Sequence, residues 1–331
     1  MKHVKFGGTG LRVSGLCLGT MTFGLQCDEA ASHAIMDAAA EGGIDFFDTA
    51  DTYPLGGGKP TLGRTEEIIG GWMKGKRHSF ILATKCVGSM GPKPWDGGMS
   101  RKHVLDAIDA SLKRLQTDYI DLYQIHHWDP HTSVLEAMEA LDTIVRQGKV
   151  RYVGVSNWLA HRITRALGYS ELRHLVRIAS CQPRYNMLFR PYERDLLPMC
   201  AEEGIAVIPY NPLAGGMLTG KHQADAPPTP GSRFTLGLAG PQYQQRYWNR
   251  REFETVEALK PVAAEAGMSM TTMAMRWVIS NPAITAPIVG ASRPDQLKDT
   301  LAAAEAGPLP SDLKARLDDL THEWRAVDAE R

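Results

Sequence analysis

The chain alternates between short apolar runs and segments of helical periodicity along nearly its whole length. Near-continuous apolar runs separated by helices are typical of parallel strands that are buried on both faces and joined by βαβ crossovers. Eight such units in 331 residues predict an α/β fold, a (β/α)8 TIM barrel rather than an open doubly wound sheet. The predicted strands are GLCLG (15–19), IDFFD (44–48), FILATK (80–85), YIDLYQIH (119–126), VRYVGVS (150–156), IASCQ (178–182), IAVIPY (205–210) and APIVG (286–290).

Two of the intervening segments carry clear helix signals. The segment 133–147 has Ser133 and Glu136 placed as a capping box, and Gly148 follows it as a stop. The segment 101–115 places its apolar residues on one face of a 3.6-residue period. These residues are Val104, Ile108, Leu112 and Leu115.

Two stretches depart from the alternation. Residues 1–14, around GGTG, predict an N-terminal β-hairpin that plugs the bottom of the barrel. Residues 221–250 predict a long loop after the seventh strand, and a loop of this length is usually functional or mobile. No Pro/Gly-rich linker divides the chain, so we expect residues 1–331 to form a single domain.

Charge and cysteine usage narrow the possible partners and the compartment. Thirty-seven basic residues balance thirty-seven acidic ones, which removes the global electrostatic argument for binding nucleic acid or an anionic membrane. The five cysteines show no CxxC spacing, and neither a signal peptide nor an apolar run of about 18 residues is present. We therefore expect a cytoplasmic protein without a disulfide framework or a membrane span.

Polar side chains stand where the predicted strands end. Asp48, Lys85 and His126 close three consecutive strands, and Tyr53 follows in the loop after the first of them. Active sites of these barrels lie at the carboxyl ends of the strands, and adjacent strands are about 4.8 Å apart. We therefore expect the four side chains to converge at one end of the barrel.

Seven motifs in order resemble the aldo-keto reductase family and span nearly the whole chain. The resemblance implies NADPH-dependent reduction of aldehydes or ketones to alcohols, in a reversible reaction. It also implies a catalytic tetrad of Asp48, Tyr53, Lys85 and His126. The motifs are FFDTADTYP, FILATKC, DLYQIHHWD, GVSN, CQPRYN, IPYNPLAGGMLTG and PIVGASRPDQL.

The chemistry of these residue types agrees with the implied tetrad. A free tyrosine has a pKa near 10, so Tyr53 needs help to donate a proton at neutral pH. A nearby Lys85 ammonium would lower the pKa of that phenol, and Asp48 would keep the buried lysine charged. His126 could then orient the substrate carbonyl by a hydrogen bond.

The resemblance also places the nicotinamide end of the cofactor. Ser156, Asn157 and Gln182 would hold the carboxamide, because amides offer both donors and acceptors. Tyr210 would stack on the ring. The end of the first strand and the acid of the tetrad would lie below the nicotinamide ring. The residues are Gly19, Thr20, Met21 and Asp48.

The same resemblance places the phosphate end of the cofactor. The glycine-rich segment 213–221 would hold the pyrophosphate through backbone N–H groups, and GASRPDQLKDTL (290–301) would open the last helix. Ser292 and Arg293 suit a 2′-phosphate and favour NADPH over NADH. The other predicted contacts are Asn211, Pro212, Leu213, Gly215, Leu218, Lys221, Arg233, Gly290, Gln296 and Thr300. Relatives often carry Asn where this chain has Thr300.

Other residues near the motifs are assigned to the substrate pocket, to a turn or to neither. The candidate substrate pocket of Met21, Tyr53, Trp128 and Phe234 would suit a flat or aromatic substrate. Asp51 is expected to be a turn-forming or surface acid. His126 and His127 are adjacent on a strand and would point to opposite faces, so we expect no metal site.

Two alternatives remain open at this stage. A Schiff-base aldolase would use Lys85 as its nucleophile, but it leaves Tyr53 and the predicted cofactor residues without a role. A nucleotide-binding regulatory subunit of an ion channel could keep the whole tetrad, since some relatives use the same fold in that way. The sequence specifies neither the substrate nor the oligomeric state.

Overall fold

The computed structural model describes residues 1–326, and the chain begins with the predicted hairpin. Strands β1 (His3–Lys5) and β2 (Arg12–Ser14) pair antiparallel. Phe6, in the turn between them, is fully buried at the amino-terminal end of the barrel and packs edge-to-face on Phe46, with ring centroids 5.9 Å apart. Gly8 N donates to Gly204 O at 2.6 Å. The hairpin thus closes the end of the barrel opposite the predicted site.

Eight parallel strands form the central sheet, and the residues of each strand overlap those of one predicted run. The sheet closes through bonds from Thr285 N to Val207 O and from Ile288 N to Pro209 O, both 2.8 Å. The (β/α)8 barrel is therefore confirmed. Its strands are β3 (Cys17–Gly19), β4 (Phe46–Asp48), β5 (Ile81–Cys86), β6 (Ile120–Ile125), β7 (Val150–Ser156), β8 (Ile178–Gln182), β9 (Ala206–Val207) and β10 (Ile288–Val289).

Strands β9 and β10 are shorter than their predicted runs. Pro209 and Pro287 stand inside those runs, and proline offers no N–H to a strand ladder. The regular strand pairing therefore ends near each proline, and isolated backbone hydrogen bonds complete the closure of the barrel.

Helices cover the outside of the barrel and pack on the strands through one large apolar core. They are α1 (Glu29–Glu41), α2 (Arg64–Met73), α3 (Arg101–Leu115), α4 (Val134–Arg146), α5 (Ala160–Arg173), α6 (Leu196–Glu202), α7 (Gly240–Tyr247), α8 (Arg250–Glu265), α9 (Met270–Ile279), α10 (Leu297–Ala306) and α11 (Ser311–Leu320). Short 3-10 turns include Ala214–Thr219, Arg233–Thr235, Gly237–Ala239, Pro294–Gln296 and His322–Arg325. Within residues 1–326, no helix is both long enough and apolar enough to cross a membrane.

The helix signals read from the sequence are largely confirmed. Helix α3 has the predicted bounds. The Ser133 side chain caps α4 by accepting from Glu136 N at 3.1 Å, and Gly148 adopts a positive φ of 75° beyond its end. The Glu136 carboxylate does not complete the capping box, because it accepts from Arg101 N instead.

Of two predictions about the later chain, the first was incomplete and the second was wrong. Residues 221–250 are not loop throughout, because they contain α7, whose buried Tyr243 and Tyr247 are four residues apart on one face. The helix that follows residues 290–293 is not the last helix, because α11 comes after it and buries Leu317. Their apolar spacing was present in the sequence, but surrounding Pro and Gly residues obscured it.

Candidate active site

The four strand-end residues do converge. Asp48 ends β4, Lys85 lies on β5, and His126 directly follows β6. The turn after β4, in which Tyr53 N donates to Ala50 O at 3.2 Å, returns Tyr53 over the strand ends. The Lys85 Nζ atom lies 5.1 Å from the centroid of the Tyr53 ring, and the rings of Tyr53 and His126 meet edge-to-face at 5.7 Å.

Asp48 and Lys85 form an ion pair inside the barrel. Lys85 Nζ donates to Asp48 Oδ2 at 2.5 Å and to Thr49 O at 2.8 Å, and the Lys85 side chain is fully buried. Burial alone would lower the pKa of Lys85, but the charges of Asp48 and Tyr53 and the bond to Asp48 raise it above its ordinary value. Lys85 is therefore a stable ammonium in this site, as expected.

Two amides complete the surroundings of Asp48, and sequence reasoning missed one of them. Gln124 Nε2 and Gln182 Nε2 both donate to Asp48 Oδ1 at 2.9 Å. Gln124 lies on β6, in register with Lys85, and it is fully buried. The sequence did hold a sign of this role, because Gln124 is an amide within an apolar strand. It stands two residues before His126 and therefore on the same face of the strand.

Lys85 acts to lower the pKa of the Tyr53 phenol, as predicted, but the net shift of that pKa is upward. Burial raises the pKa of Tyr53 above its ordinary value, and the nearby Lys85 charge offsets only part of that rise. The phenol is nine-tenths buried, so desolvation of the phenolate outweighs the attraction of the ammonium. Tyr53 is therefore protonated at neutral pH.

His126 is held neutral. Burial, the Lys85 charge and His127 together place the pKa of His126 well below its usual value. A neutral imidazole carries one N–H donor and one acceptor nitrogen. His127 is exposed, and within residues 1–326 no three His, Cys, Asp or Glu side chains are grouped to hold a metal ion.

Asp51 is not the surface acid that the sequence predicted. Its side chain is fully buried, and neither carboxyl oxygen has a hydrogen-bond partner within residues 1–326. Burial, followed by the charge of Glu66, raises the pKa of Asp51 well above its usual range. The turn itself was predicted correctly, since Tyr53 N donates to Ala50 O at 3.2 Å across Asp51 and Thr52. That turn directs the Asp51 carboxyl group into the protein interior.

The residues expected to face a nicotinamide carboxamide lie together around Asn157. Asn157 Nδ2 donates to Ser156 Oγ at 3.0 Å and to His126 O at 3.1 Å, and Tyr210 Oη donates to Asn157 Oδ1 at 2.9 Å. Ser156 Oγ donates to Gln182 O at 2.8 Å. These bonds fix the strand ends beside the Asp48–Lys85 pair.

The end of β3 borders the same site. Thr20 donates to Asp48 O through both its N–H and its hydroxyl, at 3.1 and 2.9 Å. A side chain on Gly19 would stand 2.6 Å from Ile288, so the strand end requires glycine. The Met21 sulfur accepts a weak hydrogen bond from Tyr243 Oη at 3.9 Å.

The segment predicted to hold the pyrophosphate has the backbone shape of an anion-binding loop. Asn211, Ala214 and Gly215 have positive φ values of 58°, 50° and 68°. Asn211 Nδ2 and Arg233 Nη1 are buried donors without a hydrogen-bond partner within residues 1–326. Unpaired buried donors beside such a backbone fit a phosphate group. Of the other predicted contacts, Pro212 and Leu218 are buried, Leu213 is half-buried and Lys221 is exposed.

Only some of the residues predicted for the adenosine end of the cofactor have side chains exposed for binding. Gly290, Arg293 and Gln296 are exposed, and Arg293 pairs with Asp295 at 3.2 Å. Ser292 donates to Gln296 Oε1 through its N–H at 2.8 Å. Thr300 is buried, and its hydroxyl donates to Leu297 O at 2.9 Å, so its side chain serves the helix.

The two pocket aromatics have different surroundings. Trp128 is half-buried, meets Trp158 edge-to-face at 5.0 Å and carries the Arg162 guanidinium 4.4 Å above its ring. Phe234 is fully buried against His222 and Trp248. The Phe234 ring offers no exposed surface to a substrate in this structure, because the aromatic side chains of its own loop cover it.

Comparison with known proteins agrees with this arrangement. A sequence model described as the Aldo/keto reductase family matches residues 15–322. The uncharacterized oxidoreductase YrpG of Bacillus subtilis is 38% identical over 313 residues, covering 92% of this chain and 91% of that protein. The probable voltage-gated potassium channel subunit beta of Arabidopsis thaliana is 35% identical, covering 93% of each chain. Protein tas of Escherichia coli is also 35% identical, over 91% of this chain and 92% of its own.

The family match covers most of the chain, and the relatives align over nearly their full lengths. With eight parallel strands and polar residues converging at their carboxyl ends, the chain belongs to the aldo/keto reductase family.

Proposed function

We propose that the protein is an NADPH-dependent oxidoreductase that reduces aldehydes or ketones to alcohols and, in reverse, oxidises alcohols with NADP⁺ as the hydride acceptor. The bound cofactor would supply the hydride. The observation that carries the proposal is the buried Lys85–Asp48 ion pair, which lies under Tyr53 and beside His126. A general acid, a cation to stabilise its conjugate base and an orienting imidazole are the groups that carbonyl reduction requires.

Tyr53 is the proposed general acid. Its raised pKa keeps the phenol protonated and ready to donate at neutral pH, although this also makes it a reluctant donor. As the proton leaves, the Lys85 ammonium would stabilise the phenolate; each pKa unit of such stabilisation corresponds to about 1.4 kcal/mol. Asp48 and its two amide donors hold Lys85 charged for that purpose.

His126 is the proposed orienting residue. Because its pKa is lowered well below the usual value, it would present a neutral N–H to the substrate carbonyl rather than compete as an acid. Its edge-to-face contact with Tyr53 places both groups on the same side of the site.

The proposed cofactor site uses the residues predicted for it. Ser156, Asn157 and Gln182 would bind the nicotinamide amide, with Tyr210 against the ring. Arg233 and Asn211 would donate to the phosphates, a role supported by their unpaired buried nitrogens. Arg293 would exchange its exposed contact with Asp295 for the 2′-phosphate of NADPH, which an exposed pair of this kind permits at little cost.

We also propose that residues 1–331 form one domain that acts on a small-molecule carbonyl or alcohol substrate in the cytoplasm. Residues 327–331 lie outside the described part of the chain. The pocket proposal retains Met21, Tyr53 and Trp128.

A second candidate function is a nucleotide-binding channel subunit, favoured by the relative named as a potassium channel subunit beta. Such a protein could retain the same catalytic groups, so the arrangement of the site does not distinguish the two functions. The Schiff-base alternative is less compatible with the structure, because a nucleophilic lysine must be neutral whereas the pKa of Lys85 is raised.

The decisive experiment follows NADPH absorbance with the purified protein and a panel of aromatic and aliphatic aldehydes. Multiple-turnover oxidation of NADPH that requires an aldehyde is the expected result. Tight NADPH binding without turnover on any aldehyde would contradict the reductase proposal and favour the channel-subunit function. Borohydride trapping of an aldehyde on Lys85 without need of NADPH would favour the aldolase.

A further inference from the structure

A second ion pair of low exposure joins two of the helices that cover the barrel. Glu66, in the first turn of α2, pairs with Arg114 near the end of α3, and 2.7 Å separates Glu66 Oε2 from Arg114 Nε. The Glu66 side chain is fully buried, whereas that of Arg114 is 19% exposed. A carboxylate in the interior is costly unless hydrogen bonds satisfy both of its oxygens, so the second oxygen of Glu66 needs a partner as well.

That partner lies on the strand that carries Lys85. Thr84 Oγ1 donates to Glu66 Oε1 at 2.6 Å. Thr84 directly precedes Lys85 on β5, and successive side chains of a strand point to opposite faces. Lys85 points into the barrel, so Thr84 faces the helices. Glu66 is therefore bonded to the outer face of the strand whose inner face presents the ammonium.

The same turn of α2 also contacts the backbone of Tyr53. Thr65, the neighbour of Glu66 in the chain, donates through its N–H to Tyr53 O at 3.4 Å. Two residues earlier, Asp51 N donates to Lys85 O at 3.1 Å. The segment that carries Tyr53 is therefore attached to β5 at Asp51 and to α2 at Tyr53 itself.

Helices α2 and α3 approach each other closely on both sides of Glu66. A Cβ on Gly63, just before α2, would stand 2.5 Å from Arg114 Cδ. A Cβ on Gly70, one turn beyond Glu66, would stand 2.6 Å from Arg114 O. Glycine at both positions lets Arg114 lie against α2, which brings its guanidinium to the Glu66 carboxylate.

We infer that Glu66 is a positioning residue for the Tyr53–Lys85 pair, an inference that rests on the proposed carbonyl reduction. Glu66 acts through Thr84 and Thr65, because its carboxylate fixes the first turn of α2 against β5 and that turn holds the Tyr53 backbone. Proton transfer needs its groups in close alignment, and a misplacement of about 1 Å can cost about 100-fold in rate. Loss of the Glu66 bonds should therefore slow the chemical step more than it weakens binding.

The kinetics of Glu66→Met test this role, because methionine has a similar length but makes neither bond. We expect kcat for an aldehyde to fall by about tenfold or more, with KM and the NADPH Kd within about twofold of the wild type. Glu66→Gln should retain most of the activity, since its amide can accept from Arg114 and donate to Thr84 Oγ1. Thr84→Val removes one of the two bonds and should give an intermediate kcat.

Asp121→Asn is the matched control for a general loss of stability. Asp121 is also buried and pairs with Arg77 at 2.6 Å, but it lies near the start of β6, toward the opposite end of the barrel. It should lower the stability without changing kcat. Hydrogen exchange followed by mass spectrometry adds a readout that needs no turnover: the amides of residues 49–56 should exchange faster in Glu66→Met and not in Asp121→Asn.

Wild-type kcat in Glu66→Met would overturn the inference, as would an equal loss of kcat in Asp121→Asn. Thr84→Val keeps the test valid if Glu66→Met does not fold, and wild-type kcat in that variant would then overturn it. If the wild-type protein turns over no aldehyde, the proposed function fails on its own. The exchange of residues 49–56 then decides the inference, because unchanged exchange in Glu66→Met would show that Glu66 does not hold the Tyr53 segment.

Discussion

Lys85 can remain charged inside the barrel because polar partners surround the ion pair it forms. Asp48 accepts from Lys85, Gln124 and Gln182, which satisfies both of its carboxyl oxygens. A buried ion pair stabilises a protein only when its remaining polar atoms are bonded, and removing one partner leaves the other charge uncompensated. The catalytic candidates and the core of the barrel are therefore energetically linked at these residues.

Replacing Lys85 by methionine should destabilise the protein strongly. The change leaves Asp48 buried without its cation, at a cost of roughly 3–5 kcal/mol in the free energy of unfolding. Urea denaturation measures it. The double variant Asp48→Asn, Lys85→Met removes both charges and should recover part of the loss. A Lys85→Met protein as stable as the wild type would show that the pair is not buried as described.

Asp51→Asn should stabilise the protein at neutral pH. Because the folded-state pKa of Asp51 is raised, its contribution to stability is fully present below the unfolded value near 3.8 and is lost as pH rises toward the folded value. The variant cannot ionise, so its advantage over the wild type should grow between about pH 5 and about pH 7. Urea unfolding at both values tests this, with the exposed Asp109→Asn as control. A constant difference at both values would contradict the assignment.

Among the elements, the segment between β9 and α8 contacts the loops that surround the site. Leu238 N donates to Gly56 O at 3.0 Å, and Gln26 Nε2 donates to Gly231 O at 2.5 Å. The first contact joins the loops that follow β9 and β4, and the second joins those that follow β9 and β3. The two contacts are made on either side of Arg233 in the sequence, and Arg233 is a proposed phosphate ligand.

Gly237→Ala should loosen this segment without unfolding the barrel. A Cβ at Gly237 would overlap Gly56 O, whereas a Cβ at Gly231 would meet nothing within 4 Å, although both glycines have positive φ. We expect weaker NADPH binding and faster proteolysis between residues 221 and 239 for Gly237→Ala. Gly231→Ala is the matched control for backbone strain. Equal effects in both variants would mean that the contact with Gly56 does not hold the segment.

The elements best predicted from the sequence are those whose signal is local. The strand 150–156 and the helix 101–115 have the predicted bounds. In both, the spacing of the apolar residues and the residues that mark the ends of the element indicate the same range. The site was predicted at the level of which residues meet, since strand order alone brings Asp48, Lys85 and His126 together. The burial of Asp51 and the net pKa shift of Tyr53 depend on neighbours distant in the chain, so periodicity could not predict them.

For the whole molecule, the hairpin plug and the proposed catalytic groups lie at opposite ends of the barrel. The hairpin and Phe6 close the amino-terminal end, while the proposed catalytic groups lie at the carboxyl end. The interior cluster around Phe6 is distinct from the larger core between strands and helices.

Phe6→Ala should therefore lower stability far more than it changes the site. Removing a fully buried phenylalanine costs about 3–5 kcal/mol in the free energy of unfolding. The exposed neighbour Lys5→Ala should change it by less than about 0.5 kcal/mol. NADPH affinity of folded Phe6→Ala should match the wild type. A Phe6→Ala protein with wild-type stability would show that the hairpin does not plug the barrel.

We propose that Tyr53 donates the proton in an NADPH-dependent carbonyl reduction. The most direct test is the kcat/KM of Tyr53→Phe for an aldehyde that the wild type reduces, measured beside its NADPH affinity. We expect a loss of about 10²–10⁴-fold in kcat/KM with NADPH binding nearly unchanged, because only the proton donor is removed. Wild-type turnover by Tyr53→Phe would contradict it.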